Sequence, residues 1–413
     1  MSDTVDLKPV RTRAIDRYIF AGGSLSWAIA QWFLVWLFAR VGDGAAAVGQ
    51  YSLTLAIVTP VFIIGQLGLR TVYLSLQTSF TWKSYLILRL IGTGAAIVII
   101  VAYYQIDPSA NLPLLAAVVA VRCFDVYHDI LYARFQRENR LLLIGMHSIT
   151  NSVLTMIIAF VAIMLTHNIA LTVLCVGIGS ALVAASAQRY VLKVPRDPAA
   201  APGGYRRILR AGVPTTISES LAALSLYLPI LFLSVIADDA TTGVFATAAY
   251  LLTAANLTGD TLKDIFITSF RWTFEESGAR KLLRRAHKVS GVLIILVVVA
   301  IPIIIFAGSP VLEFIYGDEF ALTHLELAVL SAAMVPVASS YIYEATLNVL
   351  NAYAGQAWIW FMACSLGVGV GFLVINVPGI PPMIGAMAVA FTTGWGRFIG
   401  ALSLALSAQR RAT

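Results

Sequence analysis

RFQRENRLLLIGMHSITNSVLTMIIAFVAIMLTHNIALTVLCVGIGSALVAASAQRY, the stretch Arg134–Tyr190, sets the reading of the whole chain. Two apolar runs, 141–165 and 169–190, are parted by a short break at His167-Asn168, and arginines stand at both outer ends. A helix that crosses a bilayer needs about 20 mostly apolar residues. Each run therefore reads as one span. The arginines mark the side on which both ends stay, because Lys and Arg accumulate in cytoplasmic loops.

Outward from this pair, further runs meet the same length at 18–39, 47–67, 84–105, 112–133, 213–236, 243–265, 289–308, 325–350, 356–376 and 383–407. The chain of 413 residues is 59% hydrophobic and 12% charged, whereas soluble domains carry roughly 25% charged residues. These values exclude a soluble enzyme, a nucleic-acid-binding domain and a disordered linker. The fold class is an all-α integral membrane protein with about twelve spans. Pro60, Pro214, Pro229, Pro302 and Pro336 fall within runs, where a membrane helix tolerates them as kinks. The first run follows Lys8, Arg11, Arg13 and Arg17, is too long for a signal-peptide core and reads as a retained span.

With the N-terminus inside, 24 of the 28 Lys and Arg lie in cytoplasmic segments. Arg89, Arg122 and Arg397 fall inside spans, and Arg40 alone lies outside. The outer loops carry Asp43, Asp107, Asp238, Asp239, Glu313, Asp318 and Glu319. This asymmetry predicts N-in/C-in, and it gives the +7 net charge a topological meaning in place of a nucleic-acid one. The basic loop 191–212 then divides the chain into an N-terminal lobe, 1–190, and a C-terminal lobe, 213–413. A weak repeat supports six plus six: Gly49-Gln50-Tyr51-Ser52 opens the second span and Gly243-Val244-Phe245-Ala246 the eighth. Parallel repeats of this kind build transporters.

Charges inside spans are costly and are functional candidates by default. Arg122, Asp125 and Asp129 are spaced i, i+3, i+7, which puts them on one helical face with Asp125 able to pair with Arg122. Arg89, Arg122, Asp125 and Arg397 are the candidates for a substrate pathway. Guanidinium groups there suit a phosphate or diphosphate. Asp129, Glu219, Asp260 and Glu344 are the candidates for ion coupling, because a partly buried carboxyl can exchange protons. Glu219 stands roughly 13 Å into its span from Arg210, and neither it nor Arg397 has an in-helix partner. The competing readings are Arg89 snorkelling to the head groups, Asp260 and Glu344 wet at the interface, and Arg122–Asp125 as a structural pair. Arg280, Lys281, Arg284, Arg285 and Lys288 alternate with Leu282, Leu283, Ala286 and Val289, the pattern of a basic amphipathic helix on the inner leaflet.

Enzymatic signals are missing. There is no Walker motif, no HExxH and no triad spacing, and Cys123, Cys175 and Cys364 lie singly in apolar runs as inert thiols. Gly367-Val-Gly-Val-Gly371 reads as a close-packing element. No outer loop is long enough for a membrane glycosyltransferase site, and no cofactor or metal is implied.

The run Gly49-Gln-Tyr-Ser-Leu-Thr-Leu-Ala-Ile-Val-Thr-Pro60, then Gln66-Leu-Gly-Leu-Arg70, resembles the second and third spans of bacterial polysaccharide (O-antigen type) flippases. These belong to the multidrug/oligosaccharidyl-lipid/polysaccharide exporter superfamily. Phe135-Gln136-Arg137-Glu138-Asn139-Arg140 resembles their loop after the fourth span, and Ile315-Tyr316-Gly317-Asp318-Glu319-Phe320 their outer loop before the tenth. The resemblance implies two six-helix lobes with alternating access in the bacterial inner membrane. The cargo would be an anionic, undecaprenyl-diphosphate-linked oligosaccharide bound for surface polysaccharide. Membrane lipids and polysaccharide polymerase or export machinery would be partners, and a proton or sodium gradient a driving force. The related lipid II flippases often carry two further C-terminal helices, and the end at Thr413 makes the cell-wall precursor a less favoured cargo. The alternatives are a drug or metabolite exporter of the same superfamily, a glycosyltransferase or ligase, and a scaffold. A facilitator of the major superfamily is disfavoured because its acidic-basic signature is absent from Gly68–Lys83.

Overall fold

The computed structural model describes residues 14–75, 80–107, 110–192, 203–350 and 352–412. Lys8, Arg11, Arg13, Lys193 and Arg196, with the middle of the 191–212 linker, lie outside the described residues. Every regular element described is helical. The order is α1 (Ala14–Val41), α2 (Gly44–Gln66), α3 (Leu69–Ser75), α4 (Trp82–Ile106), α5 (Leu112–Arg137), α6 (Leu141–Thr166) and α7 (Ile169–Leu192), then α8 (Tyr205–Ile236), α9 (Asp239–Ala248), α10 (Tyr250–Tyr316), a 3-10 turn (Asp318–Phe320), α11 (His324–Val349), α12 (Tyr353–Ile375) and α13 (Pro382–Ala412).

The opening hairpin is present as α6 and α7. His167 at the C-cap of α6 takes a left-handed conformation (φ 49°) and ends the helix. Asn168 then restarts the chain, its side-chain oxygen accepting from the Leu171 amide at 3.0 Å. Other starts are capped in the same way. Asn111 accepts from the Leu114 amide before α5, and Thr323 and Glu326 form a reciprocal capping box before α11; both satisfy amides that a helix start leaves without partners. At α9 the Thr241 hydroxyl and amide hold the Asp238 carboxyl below the usual carboxylate range.

Ten described stretches are long and apolar enough to cross a membrane, so the protein is a multi-pass membrane protein. Two of the expected spans are helical without being among them. Residues 112–133 carry Arg122, Asp125 and Asp129 in one helix. Residues 243–265 are cut at the α9–α10 junction and carry four Thr, Asn256 and three charges. The prolines at 60, 302 and 336 lie inside helices, as expected. Tyr205–Arg210, expected in the linker, is the first turn of α8 instead.

The chain forms two compact units, Met1–Leu37 with Val61–Thr216, and Phe38–Pro60 with Ile217–Thr413. The second unit thus takes in α2 as far as Pro60, which the sequence division placed with 1–190. In the first unit α3, α4, α5 and the start of α8 enclose Leu69, Val72, Tyr85, Leu88, Ile130, Ala133 and Ile208. Leu131, Phe135, Ile144, Ala187 and Val191 make a second cluster between α5, α6 and α7.

In the second unit the backbones of α2 and α9 meet. A Cβ added at Gly49 would land on the Asp239 carbonyl, and one added at Gly243 on the Ala45 carbonyl. Gly49 and Gly243, matched from sequence as corresponding repeat positions, therefore face each other. Around them the Ala45 amide donates to Glu319 at 2.8 Å and Gln50 to Asp239 at 3.1 Å. Arg40 donates to the carbonyls of Phe314 and Ile315. There it serves the negative end of α10.

The basic stretch departs from expectation. Gly278 (φ 75°, ψ 175°) breaks α10, a conformation open to glycine because it has no Cβ. Past the break, Leu282, Leu283 and Ala286 are buried with Phe270, Ile342, Tyr343, Ala401 and Ala405. The apolar face that was assigned to the leaflet is occupied by the protein's own core. Arg280, Lys281, Arg284, Arg285 and Lys288 remain exposed.

Candidate functional site

Each unit buries a cluster of the intramembrane charges. In the first unit, α5 presents Arg122, Asp125 and Asp129 at the expected helical spacing. Arg122 donates through Nη1 to Asp125 Oδ2 at 3.1 Å. Asp129, one turn on, is shared: Arg89 Nη2 of α4 reaches Oδ2 at 2.7 Å, and Arg70 Nη1 of α3 reaches Oδ1 at 3.1 Å. Arg70 Nη2 donates to Gln136 Oε1 at 3.0 Å.

Arg89 does not snorkel. Its side chain is 2% exposed and ends on Asp129. A candidate for the pathway and a candidate for coupling are thus one ion pair.

In the second unit Arg397 of α13 is 3% exposed. Its guanidinium lies 3.8 Å from the Tyr341 ring and 4.0 Å from the Trp360 ring, a cation held between two π faces. Nε donates to Glu344 Oε1 of α11 at 2.8 Å. Nη1 approaches Asn256 Oδ1 at 3.5 Å, which also accepts from the Tyr341 hydroxyl at 3.1 Å. Among the described residues Nη2 has no hydrogen-bond partner. Arg397 lines a cavity of about 40 Å³ with Ser225, Leu252, Asn256, Trp360 and Thr393.

Arg397, which has no partner within its own helix, finds one on α11. The same bond makes Glu344 a buried ion-pair member and removes the wet-interface reading. Such a pair repays desolvation only with good geometry and further hydrogen bonds. The two rings and Asn256 supply these.

Asp260 pairs with Lys263 on the exposed side of α10, and Lys263 Nζ lies 5.4 Å from the Tyr341 ring. Glu219 is on the exposed side of α8. Arg89, Asp129, Arg122 and Asp125 gather in the first unit, and Arg397 and Glu344 in the second.

Sequence reasoning missed Arg70, Gln136, Asn256, Tyr341 and Trp360. Arg70 was counted as a loop charge, and no spacing ties it to Asp129, which is 59 residues away. The uncharged partners of Arg397 carry no signal until α10, α11, α12 and α13 are packed. Among the described residues no group of three His, Cys, Asp or Glu could hold a metal ion.

No family model matches the chain. The capsular polysaccharide biosynthesis protein CapF of Staphylococcus aureus is 20% identical over 342 residues, covering 81% of this chain and 85% of that protein. Among solved structures, the inward-facing conformation of a multidrug resistance MATE family transporter of the MOP superfamily superposes with a TM-score of 0.73 at 14% identity, covering 94% of both chains. The outward-facing conformation of a multidrug resistance MATE family transporter of that superfamily gives 0.63 at 13% identity, over 96% of this chain and 94% of that one. The chain has the fold of the MATE family transporters of the MOP superfamily.

Proposed function

We propose that the protein moves an undecaprenyl-diphosphate-linked oligosaccharide across the bacterial inner membrane by alternating access, as a step in surface polysaccharide export. The observation that carries this reading is the guanidinium content of the two clusters, in which Arg70 is part-exposed. The two clusters hold Arg70, Arg89, Arg122 and Arg397 against Asp125, Asp129 and Glu344. An excess of guanidinium favours an anionic cargo, and its planar fork matches phosphate oxygens. A cationic drug would be favoured by the opposite excess. The similarity to a capsular polysaccharide biosynthesis protein over most of both chains points the same way.

Coupling to a proton or sodium gradient would fall to a carboxyl within a span, Asp129, Glu219, Asp260 or Glu344, of which Glu219 and Asp260 are exposed. Polysaccharide polymerase or export machinery would take the delivered cargo.

A deletion strain tests the reading. It should accumulate undecaprenyl-linked glycan in inner-membrane lipid extracts and lose surface polysaccharide, with drug susceptibility unchanged. The multidrug transporters among the similar structures favour a second reading, drug export. Raised drug sensitivity with normal glycan lipids would select it.

Both termini are placed in the cytoplasm in this reading. Single cysteines introduced at Asn139 and Gly278 should be labelled by a membrane-impermeant maleimide only after permeabilisation, and those at Asp43, Asp238 and Asp318 in intact spheroplasts. Labelling of Asn139 from outside would invert the first half of the chain.

A further inference from the structure

In the second unit the guanidinium of Arg397 is committed on three sides. The Tyr341 and Trp360 rings lie against it, and Nε donates to Glu344 Oε1. Among the described residues Nη2 has no hydrogen-bond partner, although the side chain is buried. Nη1 approaches Asn256 at 3.5 Å. Asn256 lines the cavity of about 40 Å³ and Glu344 does not, so the terminal nitrogens stand toward the cavity and Nε away from it. An unmet donor on a buried charged group is costly. The cavity therefore calls for an acceptor.

Charge, polarity and size narrow the group that supplies it. Glu344 already balances Arg397, so a carboxylate or phosphate in the cavity would be repelled by the first acid at short range in a poorly screened site. A neutral acceptor is favoured. Ser225 spends its hydrogen on the Ala222 carbonyl at 2.7 Å, and Thr393 reaches the Ala363 carbonyl at 3.5 Å. Each hydroxyl oxygen keeps capacity to accept, which suits a ligand that also donates. Leu226, Leu252 and Val337 form apolar wall. The volume equals that of about three waters, but these walls give waters few partners. A sugar hydroxyl would satisfy Nη2 and leave the same walls without contact.

We propose that the cavity binds the acetamido group of an N-acetylated sugar in the cargo. This group is neutral and small, and it joins a carbonyl acceptor, an N–H donor and a methyl. The carbonyl oxygen accepts from Arg397 Nη2, the N–H donates to the Ser225 or Thr393 oxygen, and the methyl packs on Leu226, Leu252 and Val337. The proposal rests on the lipid-linked oligosaccharide reading and deepens it by naming a sugar substituent. Glu344 and Tyr341 are positioning residues, which fix the plane of Arg397 without touching the ligand.

The test measures binding of undecaprenol, and of undecaprenyl diphosphates bearing N-acetylglucosamine, glucose or glucuronic acid, to full-length protein in nanodiscs. Wild type should prefer the N-acetylglucosamine lipid over the glucose lipid by about 10- to 100-fold, the worth of a hydrogen bond to a charged group. Arg397→Lys, which loses Nη2, and Ala390→Leu, which fills the cavity from its lining, should bind the two lipids alike. Thr393→Val keeps the shape, removes an acceptor and should reduce the preference. Gly369→Ala, whose Cβ meets nothing within 4 Å, should retain it. Thermal unfolding identifies any variant that is not folded, and Thr393→Val, the mildest change, then carries the comparison. If wild type binds both sugar lipids equally and more tightly than undecaprenol, the cargo reading stands and the acetamido site is wrong. Preference for the glucuronic acid lipid would make the cavity a carboxylate site, against the proposal. A preference unchanged in Ala390→Leu and Thr393→Val would place recognition elsewhere in the protein. If no sugar lipid binds more tightly than undecaprenol, the cargo reading falls and the proposal with it.

Discussion

Arg397→Ala should destabilise the protein by about 3–5 kcal/mol, because it strands Glu344 as a buried carboxylate without its counter-charge. Thermal unfolding of the detergent-purified protein, followed by fluorescence-detected size exclusion, measures this directly. Glu344→Ala should be damaging for the converse reason, leaving a buried guanidinium without its acid. The double variant Glu344→Ala/Arg397→Ala should be more stable than either single change, since removing both charges removes the desolvation cost along with the attraction. Arg397→Lys should fall between wild type and alanine: the charge persists, but the planar stack on Tyr341 and Trp360 is lost. The double variant also separates packing from transport. If it folds and glycan export still stops, Arg397 acts on cargo. If export recovers with the fold, the pair is structural. Single alanine variants as heat-stable as wild type would show that the pair contributes nothing to folding.

Valine at Gly243 should be as severe. The atom that a Cβ would strike is the carbonyl of Ala45, a backbone group that cannot rotate away. Overpacking typically costs about 1–3 kcal/mol, and here relief requires α2 and α9 to separate, so the loss should reach or exceed the upper end. Gly49→Val should behave alike, striking the Asp239 carbonyl from the other side. Even alanine should be felt at both positions. Gly369→Ala in α12 is the control, because a Cβ there meets nothing within 4 Å. It should be neutral or stabilise by a few tenths up to about 1 kcal/mol through helix propensity. Equal melting temperatures for Gly243→Val and Gly369→Ala would contradict the close approach of the two helices.

These two sites also show what the sequence could and could not reveal. The helices were legible because a span must be about 20 apolar residues long, a constraint that a single chain displays openly. The shared face of Arg122, Asp125 and Asp129 was legible for the same local reason, the period of one helix. Gly49 and Gly243 were noticed as a repeat, but their contact was not, since a repeat specifies likeness and not adjacency. Arg397 was recognised as an expensive charge while its solution was hidden: Glu344, Asn256, Tyr341 and Trp360 come from three other helices, and three of the four are uncharged. Arg70 was misjudged because the positive-inside rule explains any arginine near a membrane boundary, so a specific partner leaves no trace in composition. The basic stretch after Gly278 was misjudged for a related reason. An amphipathic pattern states that one face is covered, and says nothing about whether lipid or protein covers it.

That stretch of α10 has two readers, which act at different times. During synthesis the insertion machinery responds to the number of positive charges and is indifferent to their order. After folding, Leu282, Leu283 and Ala286 are read by the core for size and shape. Sequence drift in this segment is therefore unequal from one residue to the next: Arg280, Lys281, Arg284 and Lys288 can exchange among basic residues or trade places, whereas a methylene gained or lost at the apolar positions is felt throughout the cluster. Arg285 crosses the divide, donating to the Thr273 hydroxyl at 2.7 Å and to the Ser269 carbonyl at 3.3 Å across the Gly278 break. Its replacement by lysine keeps the charge count but gives up these guanidinium contacts.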